Sequence, residues 1–369
     1  MSDDDHPLGV VRRDFADIPA ELSARIERRG ASTIYDVAAL AGVNPSTVSR
    51  ALTKPGRISE KTEMRIRAAA ERLDFQFNPM ARALPTGRSH TIGVVVADIT
   101  NPVVFGIIRG AEQAASEAAY TLVVAESQES EEAEIETIRR LLPSVDGLIL
   151  ATTRLPDAAI CDIAARRPVV VLNRFVEGVA SLIPDVRKGV TELFDHLVAR
   201  GHESIAYVAG PTTSWISQQR WKELAARALH AGVAAMEIGP NRPTIEGGVS
   251  AFDRVSVARP TAVVAFNDLL AIGLMQAAAS KGIRVPESIA VAGFDDIFGS
   301  ELIVPALTTV RSQLPTAGAR AVRHLLAELG VEGAQSEIDQ LLDTRLVVRG
   351  STGPSLLLEW AGRGSHPAI

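Results

Sequence analysis

The spacing of apolar residues changes at about Thr91, from purely helical to alternating strand and helix. Before that point, residues 31–75 hold three short stretches whose apolar side chains recur at helical intervals. Val37, Leu40 and Ala41 line the first, Val48, Ala51 and Leu52 the second, and Met64, Ile66, Ala70 and Leu73 the third. Local punctuation agrees. Thr33 followed by Asp36 suits a capping box, and Gly42 suits a left-handed C-cap. Asn44 can cap the second helix with Pro45 at its first position, and Ser59 can cap the third. Two helices of about two turns joined by Ala41-Gly42-Val43 predict a helix-turn-helix, whose second helix presents its N-terminal residues to base edges. A further short helix near residues 18–29 falls in an acidic leader, residues 1–30, and carries no functional assignment.

Beyond Thr91 the apolar runs are short and β-rich: 92–97, 121–125, 147–151, 169–172, 205–209, 262–265 and 289–294. Helical stretches separate most of them, for example 104–119, 131–142, 186–200, 217–231 and 269–281. This alternation predicts an α/β fold with parallel, doubly wound sheets, long enough for two Rossmann-like lobes facing each other. Ligands in such sheets bind beyond the strand C-termini, here in the cleft between lobes. The expected divisions are a leader (1–30), a helix-turn-helix unit (31–76), a linker (77–90), a two-lobed domain (91–352) and a tail (353–369).

Composition narrows the function classes. Hydrophobic residues make up 46% and charged residues 22%, which supports a large core, not disorder. The single cysteine, Cys161, excludes an intramolecular disulfide or a multi-cysteine zinc site. Residues 1–30 lack the apolar core of a signal peptide, and no apolar run reaches the roughly eighteen residues of a membrane span. A cytoplasmic protein without membrane contact is expected. Net charge is −6, yet residues 31–90 carry nine basic and five acidic residues. A locally basic segment on an acidic body can bind phosphates selectively. No nucleophile elbow, phosphate loop or His-Glu-x-x-His metal pair occurs, so neither an enzyme nor a cofactor is expected. A solute-binding module and a sugar-processing enzyme on the same fold stay open as alternatives.

The run from Thr33 to Leu52, TIYDVAALAGVNPSTVSRAL, closely resembles the headpiece of the lactose/galactose repressor (LacI/GalR) family. Matches continue in order through Ile58-Ser-Glu-Lys-Thr62, Asn78-Pro-Met-Ala-Arg-Ala-Leu84, Asp98-Ile-Thr-Asn-Pro102, Arg200-Gly-His-Glu-Ser-Ile205, Gly293-Phe-Asp-Asp296 and Pro305-Ala-Leu-Thr-Thr309. The resemblance spans about residues 32 to 352. It implies a homodimer, or a dimer of dimers, on a near-palindromic double-stranded DNA operator. It also implies a periplasmic-binding-protein-like domain whose small-molecule effector, sugar-like or otherwise polar, alters the lobe angle and thereby the linker. The tail shows no leucine heptad, which favours a dimer over a tetramer.

By position, the resemblance gives base contacts to Pro45, Ser46 and Arg50, and phosphate contacts to Thr47 and Ser49. Tyr35 either reaches a phosphate or packs in the core. Residues 78–84 match a hinge helix, with Leu84 as a minor-groove wedge beside the small Ala81, and Asn78 at its start. Pro85 departs from that pattern and must end any helix at about Leu84. In the cleft, Arg220, Asp295, Asn267 and Asn173 match polar ligand contacts; the first two alternatively form a structural ion pair across the cleft. Val103 and Val104 stand where aromatics are often found, with Phe105 next, and Trp215 either supplies a stacking face or is a surface or core residue.

Overall fold

Thr33 caps the first helix of the helix-turn-helix because Asp36 folds back onto it. In the computed structural model, which describes residues 18–53, 58–75, 88–338 and 341–355, Asp36 Oδ2 accepts hydrogen bonds from the Thr33 backbone N–H at 2.8 Å and from its hydroxyl at 2.7 Å. The chain divides into two units, Met1–Gly87 and Arg88–Ile369. In the first, helices α1 (Ala20–Arg29), α2 (Ile34–Ala41), α3 (Pro45–Thr53) and α4 (Glu60–Arg72) enclose one small core. Gly42 ends α2 at φ 63, a backbone that side chains rarely adopt.

Two expectations need correction here. The boundary at residue 30 cuts through a folded unit, because Ile18, Leu22 and Ile26 form an apolar stripe buried against Val37, Val48 and Ile66. And Met64 faces outward, 61% exposed, while Ile66, Ala69, Ala70 and Leu73 face inward. Ile66, Ala70 and Leu73 are buried as expected, and Ala69 takes the place expected of Met64.

The second unit contains two parallel-sheet lobes. Lobe 1 has strands in the order β2-β1-β3-β4-β5: β1 (Thr91–Val96), β2 (Thr121–Glu126), β3 (Gly147–Ala151), β4 (Val169–Leu172) and β5 (Ala180–Leu182). Helices α5 (Val103–Glu117), α6 (Glu131–Leu141) and α7 (Asp157–Ala164) connect them. Lobe 2 orders its strands β11-β10-β9-β8-β6-β7: β6 (Ser204–Val208), β7 (Ala234–Ile238), β8 (Ala262–Ala265), β9 (Ala290–Asp295), β10 (Thr308–Ser312) and β11 (Thr344–Val347), the last antiparallel to β10. It also holds α8 (Val186–Val198), α9 (Trp215–Ala231), α10 (Ile245–Ala258) and α11 (Asp268–Ser280). Helix α12 (Leu314–Glu328) returns to lobe 1, where Ala321 and Leu325 share a core with β1 and α5.

Helices cover both faces of the lobe 1 sheet, and this explains its unbroken apolar strands. Val94 and Val96 of β1 pack toward α5 and α12, while Val95 packs with Ile138 of α6 and Ile160 of α7. The α5–α12 contact depends on missing side chains. A Cβ on Gly110 would fall 1.9 Å from the Pro315 carbonyl oxygen, and one on Gly318 would fall 2.0 Å from that of Ile107. Gly110→Ala should therefore force these helices apart and destabilise the unit by about 3 kcal/mol or more. A lowered midpoint in urea unfolding checks this; an unchanged midpoint would show that the close approach is dispensable.

Candidate nucleic-acid interface and candidate ligand cleft

Helix α3 presents two unlike faces. Val48 and Ala51 point into the core, and the 3.6-residue repeat turns Ser46 and Arg50 outward, where both are exposed. Pro45, Thr47 and Ser49 are half-buried between those faces. The helix starts where the Asn44 carbonyl accepts from the Thr47 and Val48 N–H groups. Tyr35, on the first turn of α2, is 67% exposed and so is not a core residue. Tyr35, Ser46 and Arg50 thus offer one hydroxyl from each of the first two and a guanidinium fork from the third, groups suited to phosphate oxygens and base edges. Asn78, Ala81, Leu84 and Pro85 lie outside the described residues.

In the second unit, the C-terminal strand ends of the two sheets face a cleft. Its mouth is a cavity of about 640 Å³, walled by Asp98, Glu126 and Glu129 of lobe 1 and by Pro211, Arg242 and Pro243 of lobe 2. Inside it narrows to about 40 Å³, and this constriction gathers Val103, Asn173, Arg220, Asn267 and Asp295. Val103 is buried, whereas Phe105 is half exposed and outside the lining. Trp215, half-buried, lines an adjoining recess that shares Asn173 and Phe266 with the constriction.

Arg220 dominates the lobe 2 wall. Its guanidinium stacks on Phe294 at 4.1 Å, donates to the Phe266 carbonyl at 2.6 Å and lies 3.5 Å from Asp295 Oδ1. The pair therefore forms within one lobe, between α9 and the end of β9, not across the cleft. Burial pushes the Asp295 carboxyl above its ordinary pKa, and Arg220 opposes that only in part. Asn267 is committed to the fold: its Oδ1 accepts from Leu270 N–H to cap α11, and its Nδ2 donates to the Pro243 carbonyl. Asn173 sits at φ 60 just past β4.

Several residues at this site had no signal in the sequence. Arg154, buried on the lobe 1 wall, pairs with Glu129 at 2.6 Å and donates to the Thr152 carbonyl at 3.0 Å. Beneath Asp295 lies Asp268, fully buried. It accepts from Ser300 Oγ at 2.6 Å, Thr309 Oγ1 at 2.6 Å and Ile297 N–H at 3.1 Å. Thr309 Oγ1 in turn accepts from Asp296 N–H. The Asp296 carboxylate pairs with Arg311 and Arg349. These contacts hold Asp295 and Asp296 at φ 102 and 54, left-handed backbone that non-glycine residues adopt only when their surroundings enforce it. Burial, and then the charge of Asp295, push the Asp268 pKa up to about 8. An aspartate at the first position of a helix is ordinarily solvated, so the residue type of Asp268 does not report its burial.

Comparison with known proteins matches both units of the chain. Residues 33–78 match the model for bacterial regulatory proteins of the lacI family, and residues 194–352 match a periplasmic binding protein-like domain. The HTH-type transcriptional repressor CytR of Escherichia coli is 31% identical over 332 residues, covering 87% of this chain and 96% of CytR. The lac repressor dimer bound to operator and the anti-inducer ONPF superposes with a TM-score of 0.76 at 28% identity, covering 88% of this chain and 99% of that one. The transcriptional regulator CelR in complex with cellobiose gives 0.63 at 27% identity, covering 87% and 99%. With a helix-turn-helix unit, two parallel-sheet lobes and relatives matched along most of its length, the chain belongs to the lacI family of bacterial regulatory proteins and is a DNA-binding transcription regulator.

Proposed function

We propose that this protein is a cytoplasmic, homodimeric repressor that reads a near-palindromic operator through α3 and responds to a sugar-like effector in the cleft of its second unit. The observation that carries the effector half is the state of Asp295. A largely buried carboxylate with, among the described residues, a single donor 3.5 Å away has acceptor capacity left over, and the hydroxyls of a polyol fill it. Arg154 and Arg220 face the same space from opposite lobes, so a ligand touching both favours one lobe spacing over another. That CelR binds cellobiose supports a carbohydrate as the ligand class. For the DNA half, exposed Ser46 and Arg50 on α3 support direct base readout, with Pro45 giving only apolar contact. Thr47, Ser49 and Tyr35 serve the backbone. Coupling to DNA would run through the linker, residues 77–90, of which 77–87 lie outside the described residues.

A thermal-shift screen of sugars, sugar acids and nucleosides, repeated with operator DNA, tests the whole reading. A ligand that stabilises the protein and changes its operator affinity supports it. No stabilisation by any compound class would sink the effector half.

Three substitutions refine it. Arg50→Ala should relax discrimination between operator and mismatched sites by about 1–3 kcal/mol, measured by competition, with ligand-induced stabilisation intact. Asp295→Asn should abolish that stabilisation yet leave operator affinity unchanged, and a retained shift would remove Asp295 from the site. Asp268 binds its proton more tightly folded than unfolded, so its contribution to stability is lost as pH rises toward and through about 8. Asp268→Asn should then flatten the fall in melting temperature between roughly pH 4 and 8, the span between the ordinary carboxyl pKa and that of folded Asp268; a fall as steep as in the wild type would count against this assignment.

A further inference from the structure

Helix α1 stands outside the segment that defines the family's headpiece, since the family match begins at residue 33. Yet α1 is part of the same core, through Ile18, Leu22 and Ile26. Its flank carries Arg25 and Arg29, one turn apart, and both guanidinium groups reach Asp36 on α2, at 2.6 and 2.5 Å. The Asp36 side chain is fully buried, while the arginines stay 49% and 41% exposed. Burial raises the Asp36 pKa, but hydrogen bonds from Thr33 and Arg25 and the charge of Arg29 outweigh it and hold the carboxyl below its ordinary value.

The position of this cluster matters more than its strength. Asp36 Oδ2 accepts from Thr33 N–H, Thr33 Oγ1 and Arg29 Nη2 together. The Arg29 guanidinium is therefore fixed at the N-terminus of α2, beside the cap and on the same first turn as exposed Tyr35. In a helix-turn-helix the first helix crosses the DNA backbone, and helix N-termini favour phosphate. Asp36 alone would place a negative charge there. Two arginines against one carboxylate turn the local balance positive, and each guanidinium keeps N–H donors beyond those held by Asp36. Arg28, exposed in the last turn of α1, adds to the same end before Gly30 turns the chain toward Thr33 at φ 76.

We propose that α1 is an accessory clamp for the DNA backbone, in which Arg29, supported by Arg25 and Arg28, contacts a phosphate next to the one reached from the first turn of α2. The partner is the phosphodiester backbone of duplex DNA, so the contact is independent of sequence. This rests on the reading that the first unit binds DNA through α2 and α3.

The test is fluorescence anisotropy of full-length protein on a random-sequence duplex over a range of salt concentrations. Arg29→Gln should lower the slope of log affinity against log salt by about 0.9, the value for one phosphate contact, and Arg29→Lys should keep it. Operator and random duplex should weaken by the same factor. A purely structural role would instead lower the melting temperature with no change in slope, and lysine would not rescue it. Arg28→Ala, at an exposed position, is measured alongside so that a folding defect in Arg29→Gln leaves a second readout. Wild-type slopes in every folded charge-removing variant overturn the proposal. Absence of salt-dependent DNA binding by the wild type would overturn the DNA reading itself, which is a different result.

Discussion

A carboxylate withdrawn from water costs several kcal/mol unless donors or positive charge surround it. Both working surfaces of this protein are organised by that demand. In the first unit, Asp36 collects Thr33, Arg25 and Arg29, and in doing so fixes the start of α2 and attaches α1. In the second, Asp268 collects Ser300, Thr309 and Ile297 N–H, and Asp296 collects Arg311 and Arg349. Asp295 lies between them with one long contact to Arg220. Asp268, held by three donors, and Asp296, paired with two arginines, thus flank a third acidic side chain that has one long contact and faces the cleft.

Strain collects around the same opening. Glu129, Thr152, Asn173, Asp295 and Asp296 all have positive φ, and all follow or end a strand at the C-terminal side of its sheet. There the chain must leave a parallel strand and turn at once toward a helix. The sheets beneath are covered on both faces and do not yield, so unusual backbone is imposed at their ends, where it aims side chains into the cleft.

How much of this could be read in advance follows from how local each signal is. Strands such as β1, β3 and β8 were visible because burial on both faces makes them unbroken apolar runs. β7 was not, since it is an edge strand with an exposed start and the sequence Ala-Ala-Met-Glu-Ile. β11 depends on antiparallel pairing with a strand more than thirty residues away. Asp295 came from an ordered motif and Arg220 from its position in the family resemblance. Arg154 did not, because its place is set by Glu129 and Thr152, which only the fold brings to it. The helix near 18–29 was foreseen but not its membership of the headpiece: charges interrupt its three-residue apolar stripe, and part of its attachment to α2 is through a carboxylate, Asp36, beside the apolar contact.

Helix α12 covers the lobe 1 sheet beside α5, although the whole of lobe 2 up to β10 precedes it in the chain. During synthesis, Val94, Val96 and Ile149 therefore wait with one face only partly covered until residue 328 has left the ribosome. By then lobe 2 lacks little more than its edge strand β11. The lobe that begins first is thus completed late, and its valine-rich strands are the part of the nascent chain most in need of chaperone protection.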